Sequence, residues 1–130
     1  MNTKQLLVLG ASMLVAAFGG GVTAQQAEGQ YVQVAEIEID PMQLDAYRAA
    51  VREQIDDAIR NEPGVMVLYA VSEKDNPTHV RVFEIYRDVD AYKSHLESEH
   101  FKKYKVTTEK MVKSLKLVRA NSIALGAKPR

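Results

Sequence analysis

The stretch from Val65 to Arg87 limits the possible folds more than any other part of the chain. Its first run, Val65 to Ser72, places Met66, Leu68 and Ala70 on one side of an extended backbone and Val67, Tyr69 and Val71 on the other. Successive side chains of a strand point to opposite faces, so a strand with one face in water shows a polar residue at every second position. This run has no wet side. The second run, Thr78 to Arg87, puts Phe83 and Ile85 on one face and Val80, Val82, Glu84 and Tyr86 on the other. Lys74-Asp75-Asn76-Pro77 between them is a polar turn short enough to make a hairpin. A chain that holds this hairpin must cover both faces of its sheet.

The flanking segments supply the rest of the fold. Gln30 to Ile39 alternates and is rich in valine and isoleucine, which predicts a first strand. Asp40-Pro41 closes it, with Asp40 placed to cap a helix and proline suited to the first turn. Leu44, Tyr47, Val51, Ile55, Ala58 and Ile59 then recur at helical spacing to about Asn61, and Glu62-Pro63-Gly64 stops the helix. After the hairpin, Asp88 caps a helix through Tyr92 and Leu96, and a break is expected near Ser98-Glu99. Phe101, Tyr104, Thr108, Met111, Val112 and Leu115 continue as a longer helical face, and Leu117 to Leu125 is expected to be the fourth strand. The order β-α-β-β-α-β predicts an α+β, ferredoxin-like sandwich with both helices on one face of the sheet. Two helices cover one side of four strands. The other side is therefore expected to meet a second copy, sheet on sheet, in a homodimer.

The first 24 residues stand apart from this pattern. Lys4 gives a positive start, Leu6 to Phe18 is an apolar run of signal-sequence length, and Val22-Thr23-Ala24 offers small residues for cleavage. A membrane anchor needs roughly 20 apolar residues, and Gly19-Gly20-Gly21 interrupts this run early. The expected organisation is a cleavable signal peptide over residues 1–24 and a single domain over 25–130, secreted or periplasmic and free of the membrane after cleavage. Without the leader, 16 basic and 17 acidic residues remain, a balance that argues against a nucleic-acid footprint. The absence of cysteine removes disulfides, thiol nucleophiles and thiolate metal sites.

Val80 to Tyr104 gathers more groups able to move a proton than any other segment. Glu84 and Tyr86 share one face of the third strand, and His95, Ser98 and His100 follow within six residues. A carboxylate among valines must raise its pKa or find a partner. Glu84 is a candidate orienter for His95, which borders the buried stripe of its helix, as imidazole with carboxylate is a standard arrangement for a base. The plainer readings are Glu84 at the rim paired with an arginine of a partner subunit and Tyr86 as a core aromatic, while His100 is either the working group in place of His95 or a support for the helix junction. His79 is expected at the surface. No metal is expected, because His95 and His100 are five apart and not one helical turn. Neither a glycine-rich phosphate loop after a strand nor a Gly-x-Ser-x-Gly elbow occurs, and no cofactor is expected.

Asn61-Glu62-Pro63-Gly64, then Phe83-Glu84-Ile85-Tyr86-Arg87-Asp88, then His95-x-x-Ser98-x-His100-Phe101 resembles the antibiotic biosynthesis monooxygenase domain. The likeness runs from about Tyr31 to Leu125 and includes Ala35-Glu36-Ile37. It implies a dimeric α/β barrel with one pocket per subunit between sheet and helices. It also implies oxygenation of a quinol or phenolic aromatic by O2 without metal or flavin. Carried onto matching positions, His95 would be the base, with Glu84 and Tyr86 lining and polarising the pocket. Ser98, His100, Tyr69 and Phe101 are the candidate substrate-binding residues, Ser98 and His100 also shaping the helix bend. Haem-degrading relatives carry a histidine at the position of Lys105 and an asparagine on strand one, where this chain has Glu36 and Glu38, so haem cleavage is disfavoured. The alternatives are an isomerase or tautomerase using the same base, and a non-catalytic dimeric small-molecule-binding protein.

Overall fold

The computed structural model describes residues 29–129, and the expected leader lies outside them. In chain order they form β1 (Tyr31–Ile39), a 3-10 turn (Pro41–Gln43), α1 (Leu44–Asn61), β2 (Val65–Glu73), β3 (Asn76–Tyr86), α2 (Val89–Glu97), α3 (Glu99–Thr108) and β4 (Val112–Ala120). The strands make one antiparallel sheet in the order β2-β3-β1-β4, which is the ferredoxin-like α+β arrangement. None of the described helices is long and apolar enough to cross a membrane.

Register divides the side chains into two sets. Pairing of Ala35 with Val82 and Leu117, and of Gln33 with Glu84 and Arg119, puts these residues on one face. That inner face carries the helices. Ala35, Ile37, Val80, Val82 and Leu68 pack there against Tyr47, Val51 and Ala58 of α1, the valine, leucine and isoleucine side chains contributing about 1.5–3 kcal/mol each when fully buried. The outer face holds Val32, Val34, Val67, Tyr69, Val71, Phe83, Ile85 and Val118. Tyr69 (57%), Val71 (51%) and Phe83 (44%) are the most exposed of these, so the second apolar face of the hairpin has no cover within one chain.

Short polar contacts set the helix ends. Asp40 accepts from the Gln43 side-chain amide at 3.0 Å and from the Met42 backbone amide at 3.0 Å, and these bonds, the first more than the second, hold its carboxyl below the usual range. Asp88 accepts from the Ala91 amide at 2.8 Å and starts α2, which likewise lowers its carboxyl. Ser98 separates α2 from α3: its backbone is extended, its hydroxyl donates to the His95 carbonyl at 2.7 Å, and its oxygen accepts from the Phe101 amide at 3.3 Å.

Two segments differ from the sequence reading. The hairpin turn is only Lys74 and Asp75, because Asn76 and Pro77 already belong to β3. The fourth strand is Val112–Ala120 and not Leu117 to Leu125, and α3 stops at Thr108 before Met111, Val112 and Leu115. Those three fit a helical stripe, but Leu115 and Leu117 also alternate as a strand does. Strand pairing decides between them. The Met111 amide turns back to the Thr108 carbonyl at 2.9 Å, the Asp40 amide donates to the Met111 carbonyl at 2.8 Å, and β4 then satisfies the free edge of β1 from Ile39 to Val32.

Candidate functional site

The α1–β2 turn lies beside the β3–α2 turn, since the Arg87 amide donates to the Gly64 carbonyl at 2.8 Å and Val65 pairs with Tyr86. Gly64 allows the approach: a Cβ there would sit 2.6 Å from the Ala91 Cβ, closer than carbon atoms tolerate. Glu62, the C-cap of α1, is thereby brought against α2. His95, in the last turn of α2, is only 2% exposed, and its Nδ1 lies 2.7 Å from Glu62 Oε2. The break at Ser98 re-aims α3 so that His100 Nε2 reaches the same carboxylate oxygen. An ionised carboxylate can only accept, so His95 donates from Nδ1 and keeps its lone pair on Nε2. Burial pushes the His95 pKa down, and the bond and charge of Glu62 only partly offset that. The imidazole is neutral at neutral pH.

A cavity of about 590 Å³ lies between the inner face and the helices. Tyr86, Tyr92, Phe101 and Tyr104 supply aromatic wall, Leu68 and Val82 apolar floor, and Gln33, Gln54, Glu84 and His95 the polar groups. Glu84 accepts from the Tyr86 hydroxyl at 2.6 Å and from Gln33 Nε2 at 3.4 Å, while the Tyr31 hydroxyl donates to Gln33 Oε1 at 3.3 Å. Burial raises the Glu84 pKa against the pull of those donors. Burial also raises the Tyr86 pKa, and the neighbouring Glu84 charge adds to it. The Tyr104 and Tyr47 hydroxyls meet at 2.7 Å, and burial raises both phenols. Gln54 Oε1 is sealed from solvent with no hydrogen-bond partner among the described residues.

Of the seven residues singled out from sequence, Glu84, Tyr86, His95 and Phe101 line this cavity. Ser98 and His100 stand behind its wall, one joining the two helices and the other on Glu62. Tyr69 is not brought there: it pairs with Phe83 on the outer face, the opposite side of the sheet from Glu84. The expected pairing of Glu84 with His95 is also corrected. Glu84 bonds its own strand neighbour and β1, and Glu62 takes the place beside His95. The spacing argument against a ligand cluster fails too, because a helix break falls between His95 and His100 and both reach one oxygen. Glu62, Gln33, Gln54, Tyr92 and Tyr104 are site residues that pattern reading passed over. For Glu62 the available signal was topology, which sets the end of the first helix beside the start of the second.

An antiparallel ferredoxin-like sheet, roofed by helices over an aromatic cavity with a carboxylate–imidazole pair in its wall, places the chain in the ferredoxin-like α+β class. The family model for antibiotic biosynthesis monooxygenase matches residues 30–106, and the chain belongs to that family. It is 48% identical to a candidate antibiotic biosynthesis monooxygenase from Bacteriodes thetaiotaomicron, whose crystal structure superposes with a TM-score of 0.76 over 80% of this chain and 99% of that one. A candidate monooxygenase from Lactobacillus acidophilus is 26% identical, with a TM-score of 0.68 over 70% of this chain and 45% of the other. A family protein from Nitrosomonas europaea, at 23% identity and a TM-score of 0.69 over 73% and 91% of the two chains, shares the fold. No curated protein matches the chain.

Proposed function

We propose that this chain is a monooxygenase that oxidises a small quinol or phenolic aromatic with O2, with no flavin or metal in the step. The observation that carries the proposal is His95: neutral, 2% exposed, its Nδ1 on Glu62, in the wall of an aromatic cavity. The unprotonated Nε2 takes the phenolic proton of a ring stacked among Tyr86, Phe101 and Tyr104. The phenolate passes one electron to O2, and the aryloxyl radical and superoxide combine to a ring peroxide. Loss of water from the protonated peroxide leaves a new carbonyl. One oxygen atom enters the ring, the other leaves as water, and the substrate supplies all four electrons, so a hydroquinone gives a hydroxyquinone. Glu84 and Tyr86 present a polar edge that orients the second oxygen of the ring.

Oxygen uptake with a panel of hydroquinones tests this directly. The wild-type protein is expected to consume O2 with substrate, and His95→Ala to fall by about 10²–10⁴-fold, the range of general-base catalysis. Equal uptake by the two removes His95 from the mechanism.

A second reading has its own support. Burial holds His95 toward its neutral form and Glu84 toward its protonated form, so one cavity offers a base and a carboxyl acid, the arrangement of a proton-transferring isomerase. Turnover that continues under anaerobic conditions favours it, and binding of aromatics without turnover favours a non-catalytic pocket. The same proposal includes a homodimer formed through the outer sheet face and export by cleavage after Ala24. Mass spectrometry of protein expressed with its leader is then expected to find Gln25 at the mature N-terminus.

A further inference from the structure

Beyond that reading, we propose that Glu62, His95 and His100 form a binding site for one divalent first-row transition ion of the zinc class, behind the wall of the cavity. Three elements converge on it: the C-cap of α1, the last turn of α2 and the first turn of α3. Each residue offers one ligand atom, and all three atoms lie within 4.8 Å of one another. Two imidazole nitrogens and a carboxylate oxygen are a donor set that zinc and its neighbours accept, and they leave coordination positions for water. Water has a path, because the Glu62 and His100 side chains remain 15% and 14% exposed.

Charge supports the assignment. Among the described residues, the ion-pair partners of Glu62 are these two histidines, and neither lysine nor arginine reaches it. Without an ion, both imidazoles must turn an N–H onto a single oxygen of one carboxylate. A divalent cation takes the place of those two hydrogens and neutralises the carboxylate. Loading requires a local opening of the cluster. Metal–donor lengths of about 2.0–2.2 Å set tetrahedral donors about 3.3–3.6 Å apart, so the present 2.7 Å between His95 Nδ1 and Glu62 Oε2 must widen by about 0.6–0.9 Å, and the shorter His100–Glu62 contact by more. The His95 ring is already fixed by Phe101 at 5.0 Å and Tyr86 at 5.4 Å between centroids. The ring proton of His95 would then move from Nδ1 to Nε2. A loaded chain presents a donor to the cavity where the metal-free chain presents a base.

The test uses the full domain, stripped with chelator and titrated with ZnCl2 by calorimetry and with CoCl2 by visible absorption. One ion per chain is expected, with a visible cobalt band and a zinc-dependent rise in the unfolding temperature. His100→Ala and Glu62→Gln are each expected to weaken binding more than about 100-fold, beyond what loss of an outer-shell partner does. His100→Gln serves if His100→Ala unfolds. His79→Ala removes a histidine that contacts Glu38 and Glu73 on the surface and should bind as the wild type does. No stoichiometric binding, binding that survives in both Glu62→Gln and the His100 variants, or binding lost with His79 overturns the site.

Discussion

At the scale of single residues, the cavity holds two groups whose charged forms oppose folding, one as pH falls and the other as pH rises. His95 has a folded pKa below 6.5, so the unfolded chain binds the proton first as pH falls. Its contribution to stability is intact above 6.5 and is lost as pH drops from there through the lowered folded value. Chemical denaturation should therefore show wild type losing more stability than His95→Gln between pH 8 and pH 5, and a variant that tracks wild type contradicts the neutral, buried imidazole. Glu84 behaves the other way. Its folded pKa is raised above 4.5, so the folded chain is favoured at low pH and stability is lost as pH rises from 4.5 through the folded value. Glu84→Gln, which keeps an oxygen for the Tyr86 hydroxyl, is expected to be more stable than wild type at pH 8 and to converge with it near pH 4. Melting curves at the two pH values measure the gap. Both residues were legible in the sequence, because the period of two places Glu84 among inner-face valines and helical spacing puts His95 beside Leu96. The partner of His95 was not. Glu62 sits in Glu62-Pro63-Gly64, a triplet that reads locally as a helix stop, and only the pairing of Val65 with Tyr86 brings it near.

At the scale of elements, two small residues hold the site together. Ser98 caps α3 and ties it to the last carbonyl turn of α2, and losing such a cap costs about 0.5–2 kcal/mol. Gly64 is demanded by proximity and not by backbone angle. Gly64→Ala would drive a methyl into Ala91, with an overpacking penalty of about 1–3 kcal/mol, and α2 would have to retreat from the α1–β2 turn. Because that retreat separates Glu62 from His95, the variant should lose the proposed oxygen-consuming activity out of proportion to its lost stability. Comparing turnover at a temperature where both proteins are fully folded separates the two effects. The break at Ser98 was readable from the composition of Leu96 to His100. The end of α3 was not, as Met111, Val112 and Leu115 satisfy a helical stripe equally well, and the unpaired edge of β1 settles the matter from far back in the chain, through pairs such as Ile39 with Val112.

At the scale of the whole molecule, the hairpin's second apolar face remains the largest unanswered demand of the sequence. Val71, Tyr69 and Phe83 stand in a row across β2 and β3 with about half their surface in water. Burying the exposed half of each would stabilise by about 1 kcal/mol, roughly half the value of a full side chain, and a two-fold axis through this face lets one set of side chains cover its own copy. Charge argues for the same occupant. Arg81, Glu36 and Lys116 are directly paired neighbours in the middle of this face, so it carries both signs and can complement itself across the axis. Analytical ultracentrifugation is expected to find a dimer whose unfolding temperature rises with protein concentration. Phe83→Glu places one charge from each copy in the centre of the interface and should give a monomer of lower unfolding temperature. Met42→Glu, at a position 90% exposed on the 3-10 turn, should remain dimeric. A wild-type monomer at every concentration would mean that water, and not a second sheet, meets these side chains. The alternation that first constrained the fold would then have to be explained by a different covering element.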